Sequence, residues 1–254
     1  MLIHYTNEKS YNSIISNKEI WLSSPRKSKD IYEFGIISGS MYTYDPEINE
    51  LQTMEIFRCV AGIIYNSFYI STTINNARNG RITDARRNEN NWQNFGGVDG
   101  RCIGFNRETI IEKITTTATK FKYNVHLGEM NYKNRDDLTG VNVNQFFKKY
   151  VRNSPLLSVS TEIRDWVDTL SDEQKTCLYD AAKAIMLEKS DVFVEESEFR
   201  IFAYPQMPMN SLPPEKLIVD ISEEMISVNE CNFYYGYVRT EHVNRVRDIE
   251  IHAT

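Results

Sequence analysis

Three charged side chains near residue 200 have the types and the spacing that chemistry on a sugar requires. Residues 191–203 predict a strand, and because alternate side chains of a strand point to opposite faces, Glu196, Glu198 and Arg200 share one face. A fixed carboxylate stabilises the positive charge that develops on a ribose when its anomeric bond breaks. Glu198 is our candidate for this role, and a half-buried strand with a solvated outer face is the structural alternative.

A histidine and a serine elsewhere in the chain could complete such a site. His4 ends a short predicted strand at the N-terminus, and Ser71 lies in a second predicted strand. Their side chains could hydrogen-bond sugar hydroxyls, and the ring of Tyr5 or Tyr69 could stack on a flat heterocycle. Each residue also fits a purely structural role in a strand, so the hypothesis depends on their convergence around Glu198.

The order of these motifs along the chain resembles the three-part pattern of the ADP-ribosyltransferase superfamily. That pattern has a histidine, a serine-threonine and a glutamate motif, which correspond here to His4-Tyr5-Thr6, Tyr69-Ile70-Ser71-Thr72-Thr73 and Glu196-Ser197-Glu198. Over roughly residues 1–250 the chain also resembles a widespread bacterial family of uncharacterised function. The shared features are the opening His-Tyr-Thr, Asp30 with Glu33, Trp92 before residues 100–105 (GRCIGF), and Glu196, Glu198 and Arg200.

The resemblance implies an enzyme that uses NAD as a substrate, with roles for individual residues. Glu198 corresponds to the catalytic glutamate that contacts the nicotinamide ribose, and Glu196 to the glutamate that orients the acceptor. His4 corresponds to the histidine that binds the adenosine side of NAD, and Ser71 to the serine that supports the nicotinamide half. Thr73 departs from the pattern, which has a serine there. The other candidate contacts to NAD are Tyr5, Thr6, Tyr69, Thr72 and Arg200.

Four functions are open at this point. The leading hypothesis is a bacterial toxin or defence effector that transfers ADP-ribose from NAD to a protein or a nucleic acid. An NAD glycohydrolase would instead pass ADP-ribose to water, and a non-catalytic domain would use the same cleft to bind a nucleotide or a partner protein. A nuclease or other phosphate-processing enzyme would hold a divalent metal with acidic residues, here Asp30, Glu33, Glu196 and Glu198.

Composition predicts a folded protein in a reducing compartment. Of the 254 residues, 41% are hydrophobic and 25% are charged, and the formal net charge of -6 disfavours a sequence-independent binder of polyanions. The four cysteines have no metal-ligand or CxxC spacing, so we expect thiols and no metal site. Neither a signal peptide nor a membrane span is predicted, which favours a cytoplasmic location without a membrane partner.

The elements that must position these residues predict an α+β fold on a mixed or antiparallel sheet, and the resemblance implies the ADP-ribosyltransferase fold. We interpret residues 1–254 as one domain with a helical insertion at about 144–190. The polar stretch 75–91 predicts a loop or lid whose arginines could attract phosphate. Strands are predicted near residues 1–5, 19–22, 68–73, 101–105, 121–132, 217–221, 233–238 and 249–252, and helices after residue 7, over 51–65 and over 107–114.

Overall fold

A computed structural model describes residues 1–28, 34, 50–74, 76–78, 81–83, 88–96, 100–158, 169–207, 214–222 and 225–231. The strands within these ranges are β1 (Leu2–Asn7), β2 (Glu19–Leu22), β3 (Phe68–Thr73), β4 (Asn76–Arg78), β5 (Arg81–Thr83), β6 (Gly100–Phe105), β7 (Tyr123–Glu129), β8 (Asn131–Lys133), β9 (Glu188–Ser190), β10 (Glu198–Pro205), β11 (Leu217–Asp220) and β12 (Ile226–Cys231). The α-helices are α1 (Glu8–Asn17), α2 (Glu50–Tyr65), α3 (Glu89–Asn91), α4 (Arg107–Lys120), α5 (Val143–Phe146) and α6 (Asp172–Met186).

The main sheet has six strands in the order β12-β6-β1-β3-β10-β7, and every neighbouring pair in it is antiparallel. The α+β class is therefore confirmed. β1 pairs with β6 along its whole length, and β3 pairs with β10 along its whole length. β1 and β3 are joined only through the pair Ile3 and Thr73. The sheet consequently consists of two three-stranded halves that separate beyond this pair.

Helices and loops cover both faces of the sheet. On one face, α4 packs its buried Ile110 and Ile114 into a core shared with Phe199 and Ile201 of β10. On the other face, α2 and α6 cover the half that contains β3, β10 and β7, and Phe202 belongs to their core. Because successive side chains of β10 point to opposite faces, its even-numbered residues, including the candidate carboxylate, lie on the α2 and α6 side.

Polar side chains cap the starts of three helices. The side chain of Asn7 accepts a hydrogen bond from the backbone N–H of Ser10 and begins α1. Asn106 begins α4 in the same way. Ser171 and Gln174 form a reciprocal capping box at α6. Each cap is a contact between residues two or three apart, so it depends little on the rest of the fold.

The predicted continuous strand over residues 191–203 is wrong. Asp191–Glu196 forms a 3₁₀-helix, and β10 begins only at Glu198. Ser197 between them has a φ of 48°, a left-handed conformation that interrupts an extended chain. Glu196 therefore does not share a strand face with Glu198, although Glu198 and Arg200 do.

The structure differs from the predictions in three further respects. The stretch 75–91, predicted as a loop, contains a short hairpin of β4 and β5 and the helix α3. The helical block ends at Met186 rather than near residue 190, because β9 follows and pairs in parallel with β8. Strand β12 was not predicted, and its polar alternation over residues 226–231 becomes a strand only through pairing with β6.

Several predictions lie outside the described residues, and the domain boundaries stay a prediction. The residues concerned are Asp30, Glu33, Arg86, Arg87, the apolar stripe Ile163, Trp166 and Val167, and the strands at 233–238 and 249–252. Among the residues that are described, none of the helices has the length and apolarity that crossing a lipid bilayer requires.

Candidate functional site

The candidate site lies where the two halves of the sheet separate. Beyond the pair Ile3 and Thr73, β1 no longer pairs with β3, and a side chain takes the place of the missing backbone contact. Nδ1 of His4 lies 3.1 Å from the carbonyl oxygen of Ser71. Residues of β1, β3 and β10 beside this gap line a cavity of about 80 Å³. We refer to it as the Glu198 pocket.

The three motifs that the sequence analysis singled out meet at this pocket. His4 comes from the first motif, Ser71 from the second and Glu198 from the third, although they are far apart in the chain. Convergence was the condition on which the hypothesis depended. The predicted site residues that line the pocket are His4, Tyr5, Ser71, Thr72, Glu196 and Glu198.

Hydrogen-bond donors on both oxygens fix the orientation of the Glu198 carboxylate, which is only 5% exposed. Its Oε1 lies 2.9 Å from Nε and 2.8 Å from Nη2 of Arg200, and it also accepts a hydrogen bond from the hydroxyl of Ser71. Its Oε2 lies 3.0 Å from Nζ of Lys189. The backbone N–H of Glu198 donates to the hydroxyl of Tyr132 at 2.9 Å. The carboxylate is thus held without freedom to rotate.

The same partners keep Glu198 ionised. Burial on its own would raise the pKa of Glu198, but the positive charges of Arg200 and Lys189 and the hydroxyl of Ser71 outweigh burial and lower this pKa to about 2. A carboxylate with such a pKa carries its negative charge throughout the physiological range. It can stabilise a cation, but it cannot act as a general acid at neutral pH.

Lys189 joins the two glutamates of the third motif. Its Nζ lies 2.6 Å from Oε2 of Glu196 and 3.0 Å from Oε2 of Glu198. Burial opposes the charged form, but the two carboxylates prevail and raise the pKa of Lys189 above its ordinary value. With Arg200, the cluster contains two carboxylates and two cations, so its charges balance. Such a buried cluster is stable only while every member has its partner.

Lys189 reaches the site because β9 is anchored from its other side. The neighbouring Glu188 is 5% exposed and accepts hydrogen bonds from the backbone N–H of Thr139 at 2.7 Å and from its hydroxyl at 2.9 Å. Glu188 also pairs with Lys133 of β8. Since adjacent side chains in a strand point in opposite directions, anchoring Glu188 directs Lys189 towards Glu198.

His4 is neutral and has a defined tautomer. Burial lowers the pKa of His4, and the hydrogen bond to the carbonyl of Ser71 only partly opposes this effect. A carbonyl oxygen can only accept a hydrogen bond, so the proton is on Nδ1 and Nε2 is left as an acceptor. This tautomer suits a histidine that receives a hydrogen bond from a hydroxyl group of a ligand.

The sequence analysis missed Asn91, a buried amide in the wall of the pocket. Its Nδ2 donates to Oγ1 of Thr73 at 2.6 Å and to the backbone carbonyl of Glu196 at 3.0 Å, which fixes the amide orientation. Its Oδ1 is buried and has no hydrogen-bond partner among the residues described.

Aromatic residues form the side of the pocket that follows α3. Trp92 is 1% exposed and packs edge-on against Tyr5, with ring centres 4.9 Å apart, so it belongs to the core. Phe95, in the same turn of the chain, lines the pocket and is 45% exposed. Its accessible ring is better placed than Tyr5 to stack on a flat heterocycle.

Three residues predicted to contact NAD do not line the pocket, namely Thr6, Tyr69 and Arg200. Arg200 has no exposed surface. Its guanidinium carbon lies 5.0 Å from the ring centres of both Phe34 and Tyr69, and its Nη1 donates to the carbonyl of Met186 at 2.8 Å. This corrects the prediction for Arg200, whose partners are all supplied by the protein and which acts on the carboxylate instead of a ligand.

Lys189 and Tyr132 were also missed, and the sequence carries little signal for them. Lys189 follows a helical pattern and has no motif around it, while Tyr132 is one of 15 tyrosines. Both reach Glu198 through the parallel pairing of β8 with β9, a contact between segments more than 50 residues apart. By contrast, Phe95 lies three residues after Trp92, which the sequence analysis had singled out, and could have been found from that spacing.

The pH dependence of stability should report the charge on Glu198. Because its pKa in the folded protein is about 2, against an ordinary value of 4.5, the stabilisation is complete above the ordinary value and is lost as the pH falls towards 2. We expect Glu198 to contribute roughly 3 kcal/mol to the free energy of unfolding at pH 6, and most of this to be gone at pH 2. Urea denaturation of the wild type and of Glu198→Gln between pH 6 and pH 2 measures it. If the free energy of unfolding changed with pH in the same way in the two proteins, the prediction would be contradicted.

The comparisons with known proteins do not add to this picture. No protein-family model matches the chain, and searches of curated proteins and of solved structures find no match. In the part of the chain that the structure describes, no group of three or more His, Cys, Asp or Glu side chains is arranged to hold a metal ion.

Proposed function

We propose that this chain is an NAD-dependent ADP-ribosyltransferase-like enzyme, which cleaves the bond between nicotinamide and ribose and transfers ADP-ribose to a macromolecular acceptor. One observation carries the proposal: His4, Ser71 and Glu198, from three distant motifs, line a single pocket. The split antiparallel sheet that creates the pocket supports our further proposal that the fold is of the ADP-ribosyltransferase type. In the cell, we propose a cytoplasmic toxin or defence effector.

Glu198 supplies the catalytic effect in this proposal. As the bond to nicotinamide lengthens, positive charge develops on the ribose, and a fixed carboxylate stabilises this charge more than it stabilises the neutral sugar. The low pKa of Glu198 ensures that the charge is present before the substrate arrives. Arg200 and Ser71 hold its Oε1, so the carboxylate does not have to reorganise during the reaction. Nicotinamide leaves with the bonding electrons, and the acceptor nucleophile then attacks the anomeric carbon.

One acceptor in the pocket wall suits a hydroxyl of a ribose, because Nε2 of neutral His4 can accept a hydrogen bond. The cavity of about 80 Å³ is smaller than the ~300 Å³ at which small-molecule pockets begin, so it can hold only a part of the dinucleotide. The half-exposed ring of Phe95 offers a stacking surface at its edge.

A metal-dependent nuclease is less well supported at these carboxylates. The ammonium group of Lys189 lies within 3.0 Å of an oxygen of both Glu196 and Glu198. A divalent cation bridging the two would have to displace this buried cation and leave it close to the metal, which Coulomb repulsion disfavours. Lys189 already supplies the positive charge that the metal would bring.

Incubating the purified protein with NAD labelled in its adenylate half tests the proposal. Transfer predicts release of nicotinamide together with label on protein or nucleic acid from a bacterial lysate. Free labelled ADP-ribose without a labelled acceptor would assign an NAD glycohydrolase instead. NAD binding without release of nicotinamide in any lysate would leave only a non-catalytic binding domain and overturn the proposed activity.

A further inference from the structure

A second pocket lies along the same edge of β3 as the Glu198 pocket. The backbone of Tyr69 pairs with Ser23 through hydrogen bonds of 2.7 and 2.8 Å, and the carbonyl of Ser71 faces His4. Since alternate residues of a strand direct their backbone groups to the same edge, Tyr69 and Ser71 share the edge opposite β10. Two residues of strand span about 7 Å. The second pocket, which we call the Tyr69 pocket, has a volume of about 250 Å³.

Positive charge and aromatic rings line the Tyr69 pocket. Lys27 and Lys216 contribute ammonium groups, and neither forms an ion pair with a carboxylate in the described chain. Glu215 is the acidic residue of the wall, so the described lining keeps a net charge of +1. An unpaired ammonium group is a strong donor to phosphate oxygens. The protein as a whole is acidic, with a formal net charge of -6, so this local excess of positive charge runs against the overall balance.

Trp21 is the most exposed aromatic residue of this wall. It is 48% exposed, and the ammonium nitrogen of Lys216 lies 3.6 Å from the centre of its ring. Its indole N–H donates to Glu19 at 3.3 Å, so the ring is held from two sides. Lys216 covers one face of this ring, so a base can stack on the opposite face while the ammonium groups bind the attached phosphate.

We propose that the Tyr69 pocket binds a nucleoside phosphate group, with Lys27 and Lys216 on the phosphate and Trp21 on the base. The choice of adenylate as the nucleotide rests on the proposed function. The positive charge and the aromatic rings of the pocket are structural observations that do not depend on that function. The group can come from the adenylate half of the NAD molecule whose other ribose lies at Glu198. It can equally come from a separate nucleotide that accepts ADP-ribose.

Side-chain contacts connect the two pockets. The ring of Tyr69 lies 5.0 Å from the guanidinium carbon of Arg200, and Arg200 donates to the Glu198 carboxylate at 2.8 and 2.9 Å. A ligand against Tyr69 is therefore separated from the carboxylate by one fully buried side chain. Tyr69 lines one pocket and Ser71 the other, and these residues are about 7 Å apart along β3, a distance that a dinucleotide can span.

Calorimetric titration of AMP into the full-length protein tests the site, with quenching of Trp21 fluorescence as a second signal. We expect AMP to bind to the wild type and to Glu198→Gln alike, and the double variant Lys27→Gln, Lys216→Gln to bind at least about tenfold more weakly. The matched control removes two exposed lysines of α4, Lys113→Gln and Lys120→Gln, and should bind AMP as the wild type does. Trp21→Phe should lose the fluorescence change but retain binding by calorimetry.

The two sources of the phosphate give different results. If NAD displaces AMP competitively, the adenylate half of NAD occupies the pocket, and if AMP and NAD bind together, the pocket belongs to an acceptor nucleotide. If AMP failed to bind, or if the α4 control weakened AMP binding as much as the double variant does, the proposed nucleotide site would be overturned. Because AMP binding is measured in Glu198→Gln as well, loss of the proposed catalytic activity and loss of this site are distinguishable.

Discussion

Replacing Glu198 with glutamine is expected to lower the rate of nicotinamide release from NAD by about 100- to 1000-fold, which is typical when one preorganised electrostatic contact to the transition state is removed. Glutamine keeps the size of the side chain and can still accept a hydrogen bond from Ser71. The substitution removes the negative charge opposite the developing cation, and with it the ion pairs to Lys189 and Arg200. NAD affinity should change much less than the rate, because the charge on the ribose develops only in the transition state. Single-turnover release of nicotinamide, with NAD affinity measured separately, separates these two effects.

Glu196→Gln is the matched control for this experiment. Glu196 lines the same pocket and pairs with the same lysine, so its replacement disturbs the charge cluster to a similar degree. If Glu196 orients the acceptor, transfer of ADP-ribose should fall in this variant while release of nicotinamide stays closer to that of the wild type. Equal losses of nicotinamide release in both variants would show that the intact cluster, and not the Glu198 charge itself, is what the reaction needs.

Replacing Arg200 with methionine is expected to lower the free energy of unfolding by about 3–5 kcal/mol, the usual cost of removing one member of a buried ion pair. Arg200 has no exposed surface and donates to Glu198 and to the carbonyl of Met186. Methionine fills much of the volume but leaves the carbonyl and one carboxylate oxygen short of donors. The pKa of Glu198 should rise, because the largest opposing charge is gone. Urea denaturation at neutral pH measures the loss.

Arg58→Met controls for the removal of an arginine as such. The side chain of Arg58 is 67% exposed and pairs with Glu55 on the same helix, so we expect a change below about 1 kcal/mol. If Arg200→Met does not fold, Arg200→Lys keeps the positive charge without the planar arrangement of donors and should be intermediate in stability. A loss in Arg200→Met no larger than in Arg58→Met would contradict the role assigned to Arg200.

Local patterns in the sequence were sufficient for most of the elements that carry the site. The alternation of Phe68 and Ile70 with Tyr69 and Ser71 predicted β3 and its two faces, and the core contains Phe68 and Ile70 as expected. The caps of α1, α4 and α6 are equally local, because a cap is a hydrogen bond between residues close in sequence. Where a local signal is absent, as at β12, pairing with a neighbouring strand decides the structure, and the prediction failed.

The predicted site residues come together where their motifs fell on well-predicted strands, and their role as a site stays a prediction. His4, Ser71 and Glu198 line one pocket, whereas Arg200 is buried behind it. The direction of Arg200 follows from the packing of Phe34 and Tyr69 against its guanidinium group, which a strand pattern cannot show. Asn91 lies in the pocket wall because its amide is hydrogen-bonded to Thr73 and to the carbonyl of Glu196, both distant in the chain.

By itself the sequence determined the α+β class, most of the strands and helices, and the three motifs in which acidic, hydroxyl and imidazole groups are found, because side-chain periodicity and capping act within a few residues. Only the tertiary structure decided that β1 and β3 separate beyond one pair of residues, that Lys189 lies between two glutamates, and that Arg200 supports Glu198 from behind. These features depend on which distant strands pair and on which charges must be neutralised once buried. Both are properties of the assembled sheet, since burial and Coulomb energies are set by neighbours in space.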